Sequence, residues 1–131
     1  MLPGTERLQY PKCSPRGDIL AMERPAQGMA QPLASVYFVD RGRWERLGSM
    51  TIGHANWSRD SESFTALNEV ARRIERWSRK TRRLETVAEL GDMPLVSWVI
   101  VPWMGLAPDG SPLVVRDRGT RDLYALDWEA P

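Results

Sequence analysis

The stretch DSESFTALNEVARRIERWSRKTRR, residues 60–83, decides how this chain is read. Asp60, Ser61 and Glu62 supply cap and first-turn acids, which suit the positive end of a helix. Leu67, Ala71, Ile74 and Thr81, with Phe64, Val70 and Trp77 beside them, recur at spacings of three and four. That is the stripe of an amphipathic helix. The pattern runs on through Leu84, Val87 and Ala88 to Gly91, with Pro94 beyond. A single helix over residues 61–90 would be about 45 Å long at about 1.5 Å per residue, which exceeds the width of a domain this size. Glu85 and Glu89 would also lie at its negative end. The spacing therefore predicts a helix over 61–81 with a break or sharp bend near Thr81–Glu85.

On the N-terminal side, Leu33 to Val39 is β-branched and aromatic, Asp40-Arg41-Gly42-Arg43 reads as a tight turn, and Trp44 to Gly53 returns. Leu47 lies out of phase with Met50 and Ile52, so a β-bulge is expected near Gly48-Ser49. On the C-terminal side, Leu95 to Trp103 is apolar enough for a central strand ending at Pro102. Pro108-Asp109-Gly110 is a turn, and Leu113–Arg116 with Leu123–Trp128 makes a second hairpin. Residues 1–32 are rich in proline, glycine and serine and read as an irregular arm, with one short strand at Asp18–Glu23. No internal repeat is evident. The expected fold is α+β: a mainly antiparallel sheet of about five or six strands with one long helix packed on one face. The arm at 1–32 would precede a single domain at 33–131.

The chain has 131 residues, 42% hydrophobic and 27% charged, ordinary values for one globular domain. No apolar run reaches the roughly 18 residues needed to cross a bilayer, so no membrane association is expected. The N-terminus lacks the basic and apolar regions of a secretory signal. With Cys13 the single cysteine, a cytoplasmic location is expected. Net charge is +1, yet it is unevenly placed. Residues 41–83 hold eleven Lys/Arg against five Asp/Glu, and residues 84–131 hold three against eight. Such polarity suits head-to-tail contacts or a charged partner.

Signatures of catalysis are sparse. There is no phosphate-binding loop, dinucleotide fingerprint or nucleophile elbow. One Cys and one His cannot build an ordinary zinc site, and Asp109, Asp117, Asp122 and Asp127 fit turns and exposed strand positions better than a cation site. No cofactor and no metal are expected. His54, at a strand end before Asn56, Ser58 and Asp60, is the one candidate acid/base. Cys13 has no signature linking it to His54.

Two features point to binding. On a helix, Arg72, Arg76, Arg79 and Arg83 would align as one basic stripe. Six tryptophans are many for this length. Trp77 and Trp98 suit a core, while Trp44, Trp57, Trp103 and Trp128 lie near turns or strand ends. Tryptophan beside arginine is the composition of an interface hot spot and would also suit base stacking. The sequence is therefore read as a non-catalytic binding or regulatory module acting through a protein–protein interface, with a homodimer as the expected assembly. The alternatives are a nucleic-acid-binding protein using an arginine-rich helix over 72–83, and a small hydrolase or nuclease with His54 as acid/base.

Overall fold

A computed structural model describes residues 5–23, 33–49, 54–98 and 101–119. Among these residues every regular element is a strand. Strands β1 (Leu8–Cys13), β2 (Ile19–Glu23), β3 (Leu33–Phe38) and β4 (Arg43–Ser49) form one antiparallel sheet in sequence order. Strands β5 (Asn56–Trp57), β6 (Ser63–Asn68), β7 (Arg73–Ser78) and β8 (Leu84–Glu89) form a second of the same order. The short strands β9 (Ser97–Trp98) and β10 (Val101–Pro102) pair together, as do β11 (Met104–Leu106) and β12 (Pro112–Val114). The hairpin at 33–49 stands as the sequence predicts. Its bulge falls at Leu47, since Ala34 pairs with Gly48 and Ser35 with Arg46. The segment 8–13 is strand β1, and the short strand expected at 18–23 is β2. The predicted strand at 123–128 lies outside the described residues.

The α+β expectation is overturned. Residues 60–83 are a turn, strand β6, a second turn, strand β7 and most of a third turn. The spacings of three and four arise where two strands of period two meet across a turn. Phe64 and Ala66 share one face with Trp77, while Leu67 and Ile74 share the other. Neither hairpin turn contains glycine or proline. Arg72 and Arg82 occupy the left-handed positions, with φ of 53° and 54°, where a side chain costs about 1–2 kcal/mol and glycine is usual. Asn68 supports the first turn by accepting the Ala71 N–H at 3.0 Å. Arg72 is held there by donating to the Gly91 and Met93 carbonyls at 3.0 and 2.5 Å. The break expected near Thr81–Glu85 coincides with the turn between β7 and β8, closed by Arg82 N–H to the Ser78 carbonyl at 2.7 Å. Arg82→Gly should leave stability unchanged or raise it by up to about 1 kcal/mol, because it relieves the strain and sacrifices only an exposed ion pair. Thermal unfolding of the variant checks this.

The chain is also internally repetitive, contrary to the sequence reading. Three strand–turn–strand units begin with β1, β5 and β11. In each turn the carbonyl of Ser14, Ser58 or Ala107 accepts the N–H of Gly17, Ser61 or Gly110, at 2.9, 3.0 and 2.9 Å. The donor residue has positive φ every time: 96°, 64° and 84°. Cross-strand rows match as well. Cys13–Ile19–Tyr37–Trp44 crosses the first sheet, Trp57–Phe64–Trp77–Leu84 crosses the second, and Leu106–Pro112 begins the third. Four-stranded antiparallel meanders in series are the building blocks of β-propellers.

Successive units pack face to face. Leu20, Ala34, Val36 and Phe38 of the first sheet bury against Ala55, Phe64, Ala66 and Trp77 of the second. On the second sheet's opposite face, Leu67 and Ile74 cluster with Leu90 and Met104, with Val114 packed alongside. The middle unit is thus covered on both faces, and among the described residues the first and third units form the two ends of the stack.

Candidate functional site

The arginines expected as one stripe are dispersed by the strands and turns that carry them. Arg72 caps carbonyls in the loop after β8, as above. Arg76, on β7, reaches the Gly110 carbonyl of the third unit at 3.4 Å. Arg79 follows β7 and enters the first unit, where its guanidinium pairs with Asp18 and donates to Asp40 at 2.7 Å. It also stacks on the Phe38 ring with its guanidinium carbon 4.8 Å from the centroid. Burial opposes the Arg79 charge, but the Asp40 and Asp18 carboxylates outweigh it and raise its pKa. Arg83 is exposed in the turn after Arg82. Three of the four arginines therefore fasten one part of the stack to another. Arg73, outside that stripe, pairs at 2.6 Å with Glu75, a carboxylate buried in the second sheet.

His54 is half-buried just before β5, and its carbonyl accepts from Asn56 at 2.9 Å. Burial pushes the Glu69 carboxyl up, with the His54 charge working in the opposite sense. Among the described residues no group of three His, Cys, Asp or Glu side chains is gathered to hold a metal ion. Cys13 is exposed at the end of β1.

The tryptophans go to three different places. Trp57 donates its indole N–H to the Lys12 carbonyl at 3.0 Å and packs edge-on against Phe64. It also lines a cleft of about 510 Å³ between the turns of the second and third units, along with Asn56, Arg59, Asp60, Pro108 and Asp109. The Ser58 hydroxyl and the Glu62 N–H hold the Asp60 carboxyl below its usual range. The Ser111 N–H and hydroxyl do the same for Asp109. Both therefore stay anionic at neutral pH, and the cleft carries fixed negative charge beside Arg59.

Trp44 lies on the outer face of the first sheet, tilted against Tyr37 with ring centroids 5.4 Å apart. It walls a groove of about 430 Å³ with Leu8, Glu23, Ser35 and Arg46. A smaller hollow of about 180 Å³ continues past Trp44 to Pro11, Ile19 and Ala21. Trp103 is 42% exposed at the other end of the stack, as are Leu113 at 46% and Val115 at 43%. The Trp103 ring lies over Gly105, where an added Cβ would come within 2.7 Å of it. Trp128 lies outside the described residues. Sequence reasoning singled out Trp44 and Trp103 as candidate contact residues and passed over Tyr37 and Ile19, whose counterparts in the second sheet, Trp77 and Phe64, are buried. The signal that could have found them was the repeated strand–turn–strand unit.

No helix among the described residues is long and apolar enough to cross a membrane. No protein-family model matches the chain. No curated protein matches it either. Among solved structures it is similar to TolB from Acinetobacter baumannii, at 19% identity and a TM-score of 0.51. The similarity covers 79% of this chain and 25% of that one, so the chain spans about a quarter of the TolB structure and shares its fold over that stretch.

Proposed function

We propose that this protein is a non-catalytic binding module that holds a protein partner on the outer face of its first sheet, around Trp44. One observation carries the reading. The row Cys13–Ile19–Tyr37–Trp44 has the same place in its sheet as Trp57–Phe64–Trp77–Leu84 has in the second. In the second sheet that row supplies Phe64 and Trp77 to the contact with the neighbouring sheet. In the first sheet the same positions hold Ile19 and Tyr37, which are half-buried, and among the described residues no sheet packs on them. Aromatic side chains in a groove rimmed by Glu23 and Arg46 have the make-up of a contact centre with a polar rim.

The nucleic-acid alternative has less support, because Arg72, Arg76 and Arg79 spend their guanidinium groups on internal carbonyls and carboxylates. Trp44→Glu should weaken partner binding by about 2 kcal/mol or more, roughly 30-fold, with the circular dichroism spectrum unchanged. Reversing the exposed Arg83 should change affinity little. Loss of binding on Arg83→Glu but not on Trp44→Glu, together with a steep fall in affinity for random RNA or DNA as salt rises, would favour the alternative.

A further inference from the structure

We infer that the cleft between the turns of the second and third units binds a guanidinium or primary ammonium group carried on a short apolar stem. The cleft is separate from the Trp44 groove, so its occupancy is independent of what binds there. Its volume of about 510 Å³ lies within the range of small-ligand sites. Trp57, Leu106 and Ala107 are half-buried in its wall, and Arg59, Asp60 and Asp109 stand exposed around it.

The chain shows what fills the same place one junction earlier. The three turns align as Ser14-Pro15-Arg16-Gly17, Ser58-Arg59-Asp60-Ser61 and Ala107-Pro108-Asp109-Gly110, each closed by the same hydrogen bond. Between the first and second turns, Arg16 closes the gap. Its N–H donates to Ser61 Oγ at 3.0 Å, and its guanidinium donates to Glu62 at 2.7 Å. In the second turn Asp60 holds the position of Arg16, and in the third Asp109 holds it. The first junction therefore sets a cation against a carboxylate, while the second sets two carboxylates on one cleft. Among the described residues no hydrogen bond joins these two turns, and Arg59, Asp60 and Asp109 form no ion pair. The Arg76 guanidinium reaches the Gly110 carbonyl but pairs with neither carboxylate.

A ligand cation would take the part that Arg16 plays at the first junction. The Ser58 hydroxyl and Glu62 N–H hold Asp60 in place, and the Ser111 N–H holds Asp109. An ionised carboxylate has about four acceptor sites, so both can still receive donors from a ligand. Among the described residues no third Asp, Glu, His or Cys joins them. The pair therefore suits a forked organic donor better than a hard metal ion, which needs roughly six to eight oxygens. Trp57 and Leu106 offer apolar surface to a methylene stem, and an indole ring attracts a cation.

The test is calorimetric titration of the full chain with three probes: agmatine, a capped glycine–arginine–glycine peptide, and butylurea as a neutral analogue. Both cations should bind and butylurea should not. Asp60→Asn and Asp109→Asn keep the acceptor their turns need and should each weaken binding about three- to fivefold. Arg59→Gln should tighten it about twofold, since it removes a repelling charge. Tighter binding of the peptide than of agmatine assigns the site to a side chain of another protein, and the reverse assigns it to a free amine. Either result supports the inference. No heat from either cation at millimolar concentration overturns it. Equal binding of butylurea does so too, as does unchanged affinity in the Asp60→Asn, Asp109→Asn double variant. Calcium binding that depends on both carboxylates, without agmatine binding, makes the cleft a metal site and also overturns it. If an aspartate variant fails to fold, Arg59→Gln still decides: unchanged or weaker agmatine affinity counts against the inference.

Discussion

Replacing Arg79 with leucine should cost about 3–5 kcal/mol in urea-induced unfolding. Asp18 is fully buried at the foot of the turn between β1 and β2. Its carboxylate accepts the Val39 N–H at 3.0 Å and pairs with Arg79, which arrives from the second sheet. Arg79 also bridges to Asp40 in the turn between β3 and β4, so one side chain ties two turns of the first sheet to the second. Removing it strands a buried carboxylate without its cation, and breaking a buried pair on one side is far more damaging than replacing both partners. Arg79→Leu combined with Asp18→Asn should therefore recover a substantial part of the loss. If Arg79→Leu costs under 1 kcal/mol, Arg79 behaves as an exposed residue, as a basic helical stripe would require, and the stapling role is wrong.

Trp77→Ala should cost a similar amount, about 3–5 kcal/mol. The indole is 2% exposed and stacks on Phe64 with centroids 5.4 Å apart and planes 19° from parallel. It also meets Phe38 across the junction at 5.9 Å. The loss has two parts: apolar area returned to water, and a cavity between two sheets whose backbones are fixed by hydrogen bonding and cannot close around it. Near-ultraviolet circular dichroism should lose its aromatic signal at this site, and urea unfolding should shift to lower denaturant. Lys80→Ala, three residues on and exposed, should change stability by under about 0.5 kcal/mol. Equal effects of the two substitutions would mean that Trp77 is not in the junction.

The staple at Arg79 and the junction at Trp77 hold two sheets of one chain together, so their loss should destabilise the fold. A change at Trp44 should leave the fold intact and alter only association. That contrast separates the stability of the stack from its function.

Some of this architecture was legible from sequence and some was not, and particular residues show why. The hairpin at 33–49 is marked by Val36-Tyr37-Phe38 and by Gly42 in its turn, whose φ of 61° suits glycine. The turn at Pro108-Asp109-Gly110 is marked in the same local way. Both rest on backbone preferences that act within a few residues. The hairpins at 63–89 carry no such mark, because Arg72 and Arg82 hold the left-handed positions and draw part of their support from distant groups. Their apolar residues then fit period 3.6 as well as period 2, and only pairing with the flanking strands decides between them. Trp44 and Trp103 could be named as candidate contact residues from composition and position alone. Whether an arginine faces solvent could not, since Arg79 is buried by Asp18 and Asp40 from 61 and 39 positions away. Local chemistry determined the turns, and the packing of sheet on sheet decided the secondary structure of the middle of the chain and which residues remain for a partner.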